Sequence, residues 1–375
     1  MRPRLLFISN LFPDAREPYR GLDNVTLLHH LRDRWDIRVL ALRPSLKAWW
    51  NGAQAWQPRD QDQPLMPRYV PVRYVPKMGG AFNHRLMLAE LQRVLPEAKQ
   101  AFAWDVVLAS WLFPDGWAAT QAVKEPRVLI AQGSDVHRYL TSGSRRRAIL
   151  EAVAGSRAVI TRSKSLASLL AQAGAAPALL HPVHNGVDVT VFHPGPLSGA
   201  QEKVVLFVGN LLPVKNPALL LRAFAKVPAP ARLVLAGKGP LRETLEALAA
   251  TLGIAERVQF SGPMLAPQIA EWMRVADVLC MSSLNEGLPN VVIEAMASGL
   301  PVVATDVGGI HELIDEPWKG ALVPSGDETA LAAALNAALS RPLDRARIAA
   351  YGQGLTWART ADACDAILRG AMQGG

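Results

Sequence analysis

The sequence predicts an α/β protein with two doubly wound parallel-sheet domains. Its 375 residues are enough for about two domains of ordinary size. Half of the residues are hydrophobic and 19% are charged, a composition that excludes a disordered chain. Short, continuous apolar segments alternate with longer amphipathic ones. That alternation is typical of parallel strands that are covered by helices on both faces.

The first half begins with an apolar strand and continues with alternating strands and helices. Helices are predicted over 25–34 and 84–102. Residues 44–77 are rich in Pro, Gln and Trp, so we expect an irregular excursion there. The predicted strands of this half are 5–9, 37–42, 105–109, 127–131, 158–161 and 179–182.

The composition changes over 193–202, where Pro, Gly and Ser cluster. We expect an interdomain linker there, between an N-terminal domain over 1–192 and a second domain over 203–354. Asn216 and Pro217 indicate a helix start, as N-cap and first helical residue. A terminal helix over 355–373 is compatible with packing back onto the first domain. The predicted strands of the second half are 204–208, 232–236, 257–260, 278–281 and 302–305, and its helices are 217–226, 241–252, 267–275 and 291–298.

Cysteine content and net charge limit the class of protein. Cys280 and Cys364 are too few for a disulfide framework or a cysteine-based zinc site. The apolar run 5–8 is shorter than a signal-peptide core, and no run approaches the roughly 18 residues of a membrane span. We therefore expect a cytoplasmic protein. The net charge of +8 favours anionic partners, but no recognisable nucleic-acid-binding motif is present, so nucleic acid is not expected.

Two glutamates, Glu286 and Glu294, carry the strongest chemical signal. Glu286 follows a predicted strand, and Glu294 lies inside the next helix among apolar residues. A carboxylate in such a helix needs a partner, and the diol of a ribose would supply two hydroxyl donors. The helix begins at Pro289 or Asn290, and the N–H groups at its start suit a phosphate. The alternative is that both glutamates are ordinary surface residues.

The two glutamates form a Glu-x7-Glu pattern with Gly-x-Pro inside it, and further motifs accompany it in order. Over about 190–335 this order resembles glycosyltransferase family 4, whose members are retaining enzymes of the GT-B fold. The resemblance of the first half is looser. The accompanying motifs are Val208-Gly-Asn-Leu-Leu-Pro-Val-Lys215, Leu235-Ala-Gly-Lys-Gly-Pro240, Phe260-Ser-Gly262, Pro301-Val-Val-Ala-Thr-Asp-Val-Gly-Gly309 and Leu322-Val-Pro, and in the first half Phe12-Pro13, Gly21, Gly133-Ser-Asp135 and His184-Asn-Gly-Val-Asp188.

The resemblance implies two Rossmann-like domains that face each other across a cleft, with a nucleotide-diphosphate sugar as donor. It implies that Glu294 holds the ribose hydroxyls, that Glu286 faces the donor sugar near the reacting carbon, and that Lys215 neutralises the departing diphosphate. UDP is the commonest nucleotide in the family, and neither a metal nor another cofactor is implied. The remaining implied donor-binding residues are Gly21, Gly209, Asn210 and the segment Gly287, Leu288, Pro289 and Asn290 with its backbone N–H groups.

Two residues depart from the family pattern. Asn210 stands where an Arg is common, and Gln132 stands where a His is common, so one phosphate contact and one ionisable group are missing. These departures fit either subgroup variation or a weakened donor site. Gln132, Asp135 and His137 follow a predicted strand and are candidates for acceptor or donor-sugar contacts, with cap and surface roles as alternatives. Asp60-Gln-Asp62 matches a short metal-binding pattern by chance, because no buried strand precedes it.

Aromatic and basic residues cluster in the first half, the domain that the resemblance implies receives the acceptor. They suit an anionic membrane surface or a lipid-linked acceptor, or equally an ordinary flap with a solvated rim. The expected function is transfer of a hexose-type sugar to a glycan or glycolipid in bacterial polysaccharide biosynthesis, on the cytoplasmic side of the membrane. The alternatives are a non-catalytic nucleotide-sugar-binding or scaffold subunit and a sugar-nucleotide epimerase on the same fold. The residues in question are Trp49, Trp50 and Trp56, then Arg68, Arg73, Lys77 and Arg85, and the cluster Arg145, Arg146 and Arg147.

Overall fold

The computed structural model describes residues 2–50, 56–76, 82–141, 143–195, 202–341 and 343–373. The chain forms two units. One contains the chain up to His184 together with the stretch from Trp357 onward, and the other is Asn185–Thr356. Each unit is built around one parallel sheet, which confirms the predicted α/β fold class.

The sheet of the first unit has seven strands in the order β3-β2-β1-β4-β5-β6-β7. The chain leaves β1 toward one edge and returns to the other side of β1 at β4. The sheet is therefore doubly wound, and its topological switch point lies between β1 and β4. The strands are β1 Arg4–Ser9, β2 Asp36–Ser45, β3 Pro67–Arg73, β4 Val106–Ser110, β5 Arg127–Ala131, β6 Ala158–Thr161 and β7 Leu180–Pro182, and the helices are α1 Leu22–Leu31, α2 Asn83–Ala101, α3 Trp117–Ala122, α4 Ser134–Tyr139, α5 Gly143–Ala154 and α6 Lys164–Gln172.

The central strands of this sheet are buried on both faces because successive side chains enter opposite cores. Leu5 and Phe7 pack into one core cluster, whereas Leu6 and Ile8 pack into the other. Each of these four side chains is at most 1% exposed. This two-sided burial explains why the strand reads as a continuous apolar run in the sequence.

The sheet of the second unit has six strands in the order β10-β9-β8-β11-β12-β13. Its switch point lies between β8 and β11, which pair directly. The strands are β8 Lys203–Val208, β9 Ala231–Ala236, β10 Val258–Gly262, β11 Val278–Met281, β12 Val302–Thr305 and β13 Gly320–Val323, and the helices are α7 Pro217–Phe224, α8 Arg242–Thr251, α9 Ala266–Val275, α10 Asn290–Ala297, α11 Glu328–Ser340 and α12 Arg345–Gln353.

The last helix, α13 at Trp357–Gln373, belongs to the first unit. It packs against the core that also contains Leu5 and Phe7. Trp35 Nε1 donates a hydrogen bond to Asp365 on this helix at 2.7 Å. Its buried residues recur every three or four positions, which gives the apolar stripe of a surface helix. They include Trp357, Ala361, Cys364, Leu368 and Ala371.

One predicted domain boundary differs from the structure. The division between the units falls after His184 and not at 192, because Val187 N donates to Leu355 O at 2.8 Å and the Val187 and Phe192 side chains lie in the core of the second unit. Residues 196–201 of the predicted linker 193–202 lie outside the described residues.

The region 44–77 is not irregular throughout. It contains two 3₁₀ turns, Leu46–Trp50 and Asp60–Leu65, and the edge strand β3. Pro67 and Pro71 conceal this strand in the sequence, yet prolines are tolerated on an edge strand that has one unpaired side. Residues 51–55 and 77 lie outside the described part. Among the described helices, none has the length and hydropathy of a membrane span.

Candidate active site

The switch point of the second sheet brings two predicted site residues together. The loop after β8 carries Lys215, and the loop after β11 carries Glu286. Because β8 and β11 are parallel neighbours, both loops leave the same edge of the sheet, and the chain then continues to opposite sides. Ligands of doubly wound sheets bind at such a point.

Lys215 and Glu286 are in direct contact. Lys215 Nζ donates to Glu286 Oε1 at 2.6 Å, and Ser283 Oγ donates to the same oxygen at 2.6 Å. Glu286 is buried, whereas the Lys215 side chain is 25% exposed. Charge-assisted hydrogen bonds of this length are among the stronger polar contacts in proteins. The carboxylate therefore holds the lysine ammonium at the end of the sheet.

Backbone contacts hold the two loops in register. Ser282 Oγ donates to the carbonyl oxygens of Lys215 and Asn216 at 3.1 and 2.9 Å, and Leu284 N donates to Val214 O at 2.8 Å. Asn216 is the N-cap residue of α7, as predicted, but its side chain makes no cap hydrogen bond. It adopts a left-handed conformation with φ 45°, which Asn tolerates better than most residues, and α7 starts at Pro217.

Glycines allow the surrounding loops to approach each other closely. A Cβ at Gly308 would lie 1.9 Å from Glu286 O, and a Cβ at Gly237 would lie 1.9 Å from Gly209 O. Both glycines also have positive φ, at 60° and 156°. Gly209 is a predicted donor-binding residue, and its carbonyl oxygen is the atom that Gly237 approaches. Its neighbour Asn210 is exposed to solvent.

Helix α10 starts at this site. Pro289 is its N-cap residue and has no side-chain cap, and as a proline it has no N–H group to offer, contrary to what was expected of the segment 287–290. The Leu288 side chain is buried in the core, and Gly287 O accepts a hydrogen bond from Gly309 N at 2.7 Å. Pro289 therefore contributes no N–H donor to the predicted segment 287–290.

Asn290 and Glu294 lie one helical turn apart on α10 and so share a face. Asn185 Nδ2 donates to Asn290 Oδ1 at 2.9 Å. Glu294 is half-buried, while its neighbours Ile293 and Ala295 are fully buried. The Glu294 carboxylate thus stands on the accessible side of an otherwise apolar helix.

The first unit places Gly21 and Gln132 around the loop that follows β1. Gly21 has φ 67°, and a Cβ there would lie 2.2 Å from Leu11 O, so this loop folds tightly onto itself. Asn24 Nδ2 donates to the same carbonyl at 2.8 Å. Gln132 Nε2 donates to Asn24 Oδ1 at 2.8 Å and to Ser110 Oγ at 3.0 Å. Gln132 is therefore connected to the Gly21 loop through Asn24.

Asp135 has the contacts of a cap and not those of a ligand-binding residue. It is fully buried, and burial raises its pKa, while hydrogen bonds that its oxygens accept from backbone N–H groups reduce that rise. His137 is half-buried in α4. The N–H donors to Asp135 belong to Leu112, Gln132, Gly133 and Val136.

Sequence reasoning missed Asp115, which is fully buried at the switch point of the first sheet. Its carboxylate accepts hydrogen bonds from Asn10 N at 2.7 Å, from Asn10 Nδ2 at 2.8 Å and from Ser9 Oγ at 3.3 Å. Burial raises the pKa of Asp115 to about 7. The available signal was its position in Phe-Pro-Asp-Gly, which begins three residues after the end of a strand that is buried throughout.

Within the described ranges, no group of three or more His, Cys, Asp or Glu residues is arranged to hold a metal ion. Asp62, from the short Asp-x-Asp match, is buried. It contacts His29 Nε2 at 2.9 Å and accepts a hydrogen bond from Arg59 Nε at 2.6 Å. These contacts connect α1 to the 3₁₀ turn Asp60–Leu65 and give Asp62 a structural role.

Comparison with known proteins places the chain in a family. Residues 24–191 match the model of Glycosyltransferase Family 4, and residues 190–354 match that of Glycosyl transferases group 1. D-inositol 3-phosphate glycosyltransferase of Mycobacteroides abscessus is 33% identical over 276 residues, 68% of this chain and 61% of the relative. That of Mycobacterium avium is 32% identical over 290 residues, 70% of this chain and 67% of the relative. The chain thus spans about three fifths to two thirds of the length of these relatives.

Solved structures share the fold. HepE from Anabaena in complex with UDP has a TM-score of 0.78 at 21% identity, with 98% of this chain and 100% of that chain covered. The lipopolysaccharide outer core galactosyltransferase WaaB in its apo form has a TM-score of 0.74 at 16% identity, with coverage of 98% and 99%. Together with the family models, these similarities show that the chain belongs to glycosyltransferase family 4 and has the GT-B fold.

Proposed function

We propose that the protein transfers a hexose-type sugar from a UDP-sugar to a glycan or glycolipid in bacterial polysaccharide biosynthesis, with retention of configuration. The observation that carries the proposal is the contact between Lys215 and Glu286 at the switch point of the second sheet. The names of the relatives, which are glycosyltransferases, and the UDP in the HepE structure support it. Retention follows from family membership alone.

Lys215 would stabilise the leaving group. When the bond between the anomeric carbon and the diphosphate breaks, negative charge builds up on the phosphate oxygens, and a preplaced cation lowers the energy of that charge. Glu286 holds the ammonium in place before the donor arrives. The N–H groups at the start of α10 would contribute a second, weaker positive field.

Glu294 and Glu286 would bind the two ends of the donor. The half-buried Glu294 carboxylate can accept two hydrogen bonds from the ribose diol, which suits its position on the less buried side of α10. Glu286 lies eight residues earlier, beside Lys215, and would face the sugar close to the diphosphate. The donor would then extend from α10 toward the loop after β8.

A peripheral membrane location is part of the proposal. Trp49 and Trp50 are 42% and 76% exposed, the Arg73 guanidinium lies 5.6 Å from the centre of the Trp49 ring, and Lys47 belongs to the same 3₁₀ turn as both tryptophans. Aromatic rings next to basic side chains suit an anionic membrane interface, where a lipid-linked acceptor would be found.

A donor panel followed by a transfer assay tests the proposal. We expect UDP-sugars to raise the melting temperature by mass action, and GDP- and ADP-sugars to have little effect. NMR of the product should show the anomeric configuration of the donor. No shift with any nucleotide sugar would contradict the donor site. Binding of the donor without transfer or hydrolysis would favour the scaffold alternative. Conversion of the donor sugar that needs no acceptor and releases no UDP would favour an epimerase.

A further inference from the structure

Two adjacent serines, Ser282 and Ser283, follow β11 directly, and both are fully buried. Burying a hydroxyl costs free energy unless it finds a hydrogen-bond partner. Each of the two hydroxyls has a partner, and the partners belong to the contact between Lys215 and Glu286. The two serines therefore connect the core of the second unit to its candidate active site.

Ser282 binds the backbone of the loop after β8. Its Oγ donates to the carbonyl oxygen of Lys215 at 3.1 Å and to that of Asn216 at 2.9 Å. These contacts fix the point at which the Lys215 side chain leaves the backbone. They do not reach the ammonium at the other end of that side chain.

Ser283 binds the carboxylate that holds the ammonium. Its Oγ donates to Glu286 Oε1 at 2.6 Å, and Lys215 Nζ donates to the same oxygen at 2.6 Å. Two short, charge-assisted hydrogen bonds therefore meet at one oxygen. Lys215 is thus held at both ends, at its backbone by Ser282 and at its ammonium by Ser283 through Glu286.

Ser283 is itself fixed from the next strand. Thr305 is the last residue of β12 and is fully buried, and its Oγ1 donates to the Ser283 carbonyl oxygen at 2.6 Å. Strand β11 lies between β8 and β12 in the sheet. The hydroxyls of Ser282, Ser283 and Thr305 therefore connect the carboxyl ends of three neighbouring strands.

The lengths of the side chains decide which of them fixes the others. The Lys215 ammonium ends a flexible four-carbon stem, and the terminal torsion of a glutamate is broad. A single hydrogen bond between two such side chains would let both of them move together. A serine oxygen is attached directly to Cβ, so a fixed backbone leaves it few positions. Ser283 is therefore the rigid member of the three.

We propose that Ser283 is a positioning residue for sugar transfer, which fixes the Glu286 carboxylate and, through it, the Lys215 ammonium. The role in transfer rests on the proposed function, whereas the positioning of the ammonium does not. Removal of the hydroxyl keeps both charges, so the donor should still bind. It loosens the geometry at the leaving group, where a small displacement of a catalytic group lowers the rate strongly.

Steady-state rates of transfer, measured with the UDP-sugar that raises the melting temperature most, test the role in transfer. We expect Ser283→Ala to lower kcat about tenfold and to change KM for the donor less than about twofold, because the lost contact acts mainly in the transition state. Ser283→Cys keeps a similar volume but only a weak donor, and should have an intermediate kcat. It is also the test variant if Ser283→Ala does not fold.

Ser156→Ala is the matched control. Ser156 is also buried, and its Oγ donates to Val153 O at 2.7 Å, but it precedes β6 at the amino end of the first sheet. The substitution should lower the melting temperature, as the loss of a buried hydrogen bond does, and leave kcat unchanged. An equal fall of kcat in Ser156→Ala, or a wild-type kcat in Ser283→Ala or Ser283→Cys, would overturn the proposal.

A double-mutant cycle with Lys215→Ala tests whether Ser283 acts through the lysine. With no ammonium to position, Ser283→Ala should lower kcat by less than a further factor of about two. A full tenfold loss in the Lys215→Ala background would exclude the role in transfer, because it would show that Ser283 acts by another route.

The melting temperatures of the same four proteins form a second cycle, which needs no activity. Lys215 and Ser283 donate to one oxygen of a buried carboxylate. We therefore expect the double variant to lose more than the sum of the two single losses, because the carboxylate then keeps neither of these donors. Additive losses would overturn the positioning of the ammonium.

The two cycles separate this inference from the proposed function. A wild-type protein that transfers no sugar, together with a more than additive loss of melting temperature, would leave the positioning of the ammonium standing while the proposed function failed. An active wild type with additive losses of melting temperature would do the reverse.

Discussion

Asp115 and Asn10 join the two strands at the switch point of the first sheet through three hydrogen bonds, of 2.7, 2.8 and 2.9 Å. Asn10 in turn accepts hydrogen bonds from Arg20, so the buried carboxylate positions Arg20 through Asn10. The contact fixes the path of the loop that also contains Gly21.

Replacing Asp115 by Ala should destabilise the protein by about 2–4 kcal/mol. The change leaves the backbone and side-chain N–H groups of Asn10 buried without an acceptor, which costs more than the loss of an exposed hydrogen bond. Urea unfolding measures the effect. Asp36→Ala is the control, since Asp36 pairs with Arg38 at the surface and its loss should cost less than about 0.5 kcal/mol. Equal effects of the two substitutions would contradict the role of Asp115.

Asp115 should also make stability depend on pH. Burial raises its pKa from 3.8 to about 7, so between these values the folded protein holds a proton that the unfolded chain releases. Its contribution to stability is therefore largest below about pH 4 and declines as the pH rises to about 7. Unfolding free energies of the wild type and Asp115→Asn, measured from pH 4 to 8, should show this decline in the wild type only. A constant difference between the two proteins would be evidence against it.

Lys215→Ala should reduce sugar transfer by about a hundredfold or more and leave the protein folded, because it removes the cation that we propose faces the leaving diphosphate. Initial rates at saturating donor, together with the melting temperature, measure the two effects. Lys203→Ala is a matched control. Lys203 pairs with Asp277 at 3.0 Å and links the same two strands at their opposite ends. Full transfer activity in Lys215→Ala would exclude the proposed role.

Gly308→Ala should disrupt the loop that carries Glu286. A Cβ at this position would lie 1.9 Å from Glu286 O, and φ is 60°, so both space and backbone conformation oppose the substitution. We expect a lower melting temperature and a loss of donor binding. Gly370→Ala is the contrasting change, because nothing lies within 4 Å of a Cβ there and the residue is inside α13, where Ala is favoured over Gly. Gly370→Ala should stabilise the protein slightly. An unchanged melting temperature and unchanged donor binding in Gly308→Ala would contradict the close approach of Gly308 to the Glu286 loop.

Local sequence patterns were sufficient for the strands that are buried on both faces. The strands 127–131, 158–161, 278–281 and 302–305 have the predicted bounds, since burial of every side chain but that of Arg127 leaves a nearly continuous apolar signal. Strand β3 was missed because it lies at an edge, where Pro67 and Pro71 are tolerated.

The sequence by itself determined the family and the α/β architecture and predicted Lys215 and Glu286 as site residues, since each of these inferences depends on residues that are close along the chain. The tertiary structure decided which of them meet: Lys215 contacts Glu286 across 71 positions, and Arg73 and Arg145 line one cavity. These neighbours depend on the order of strands within a sheet. That order is set by burial of whole faces and by non-local pairing, and a local pattern does not contain it.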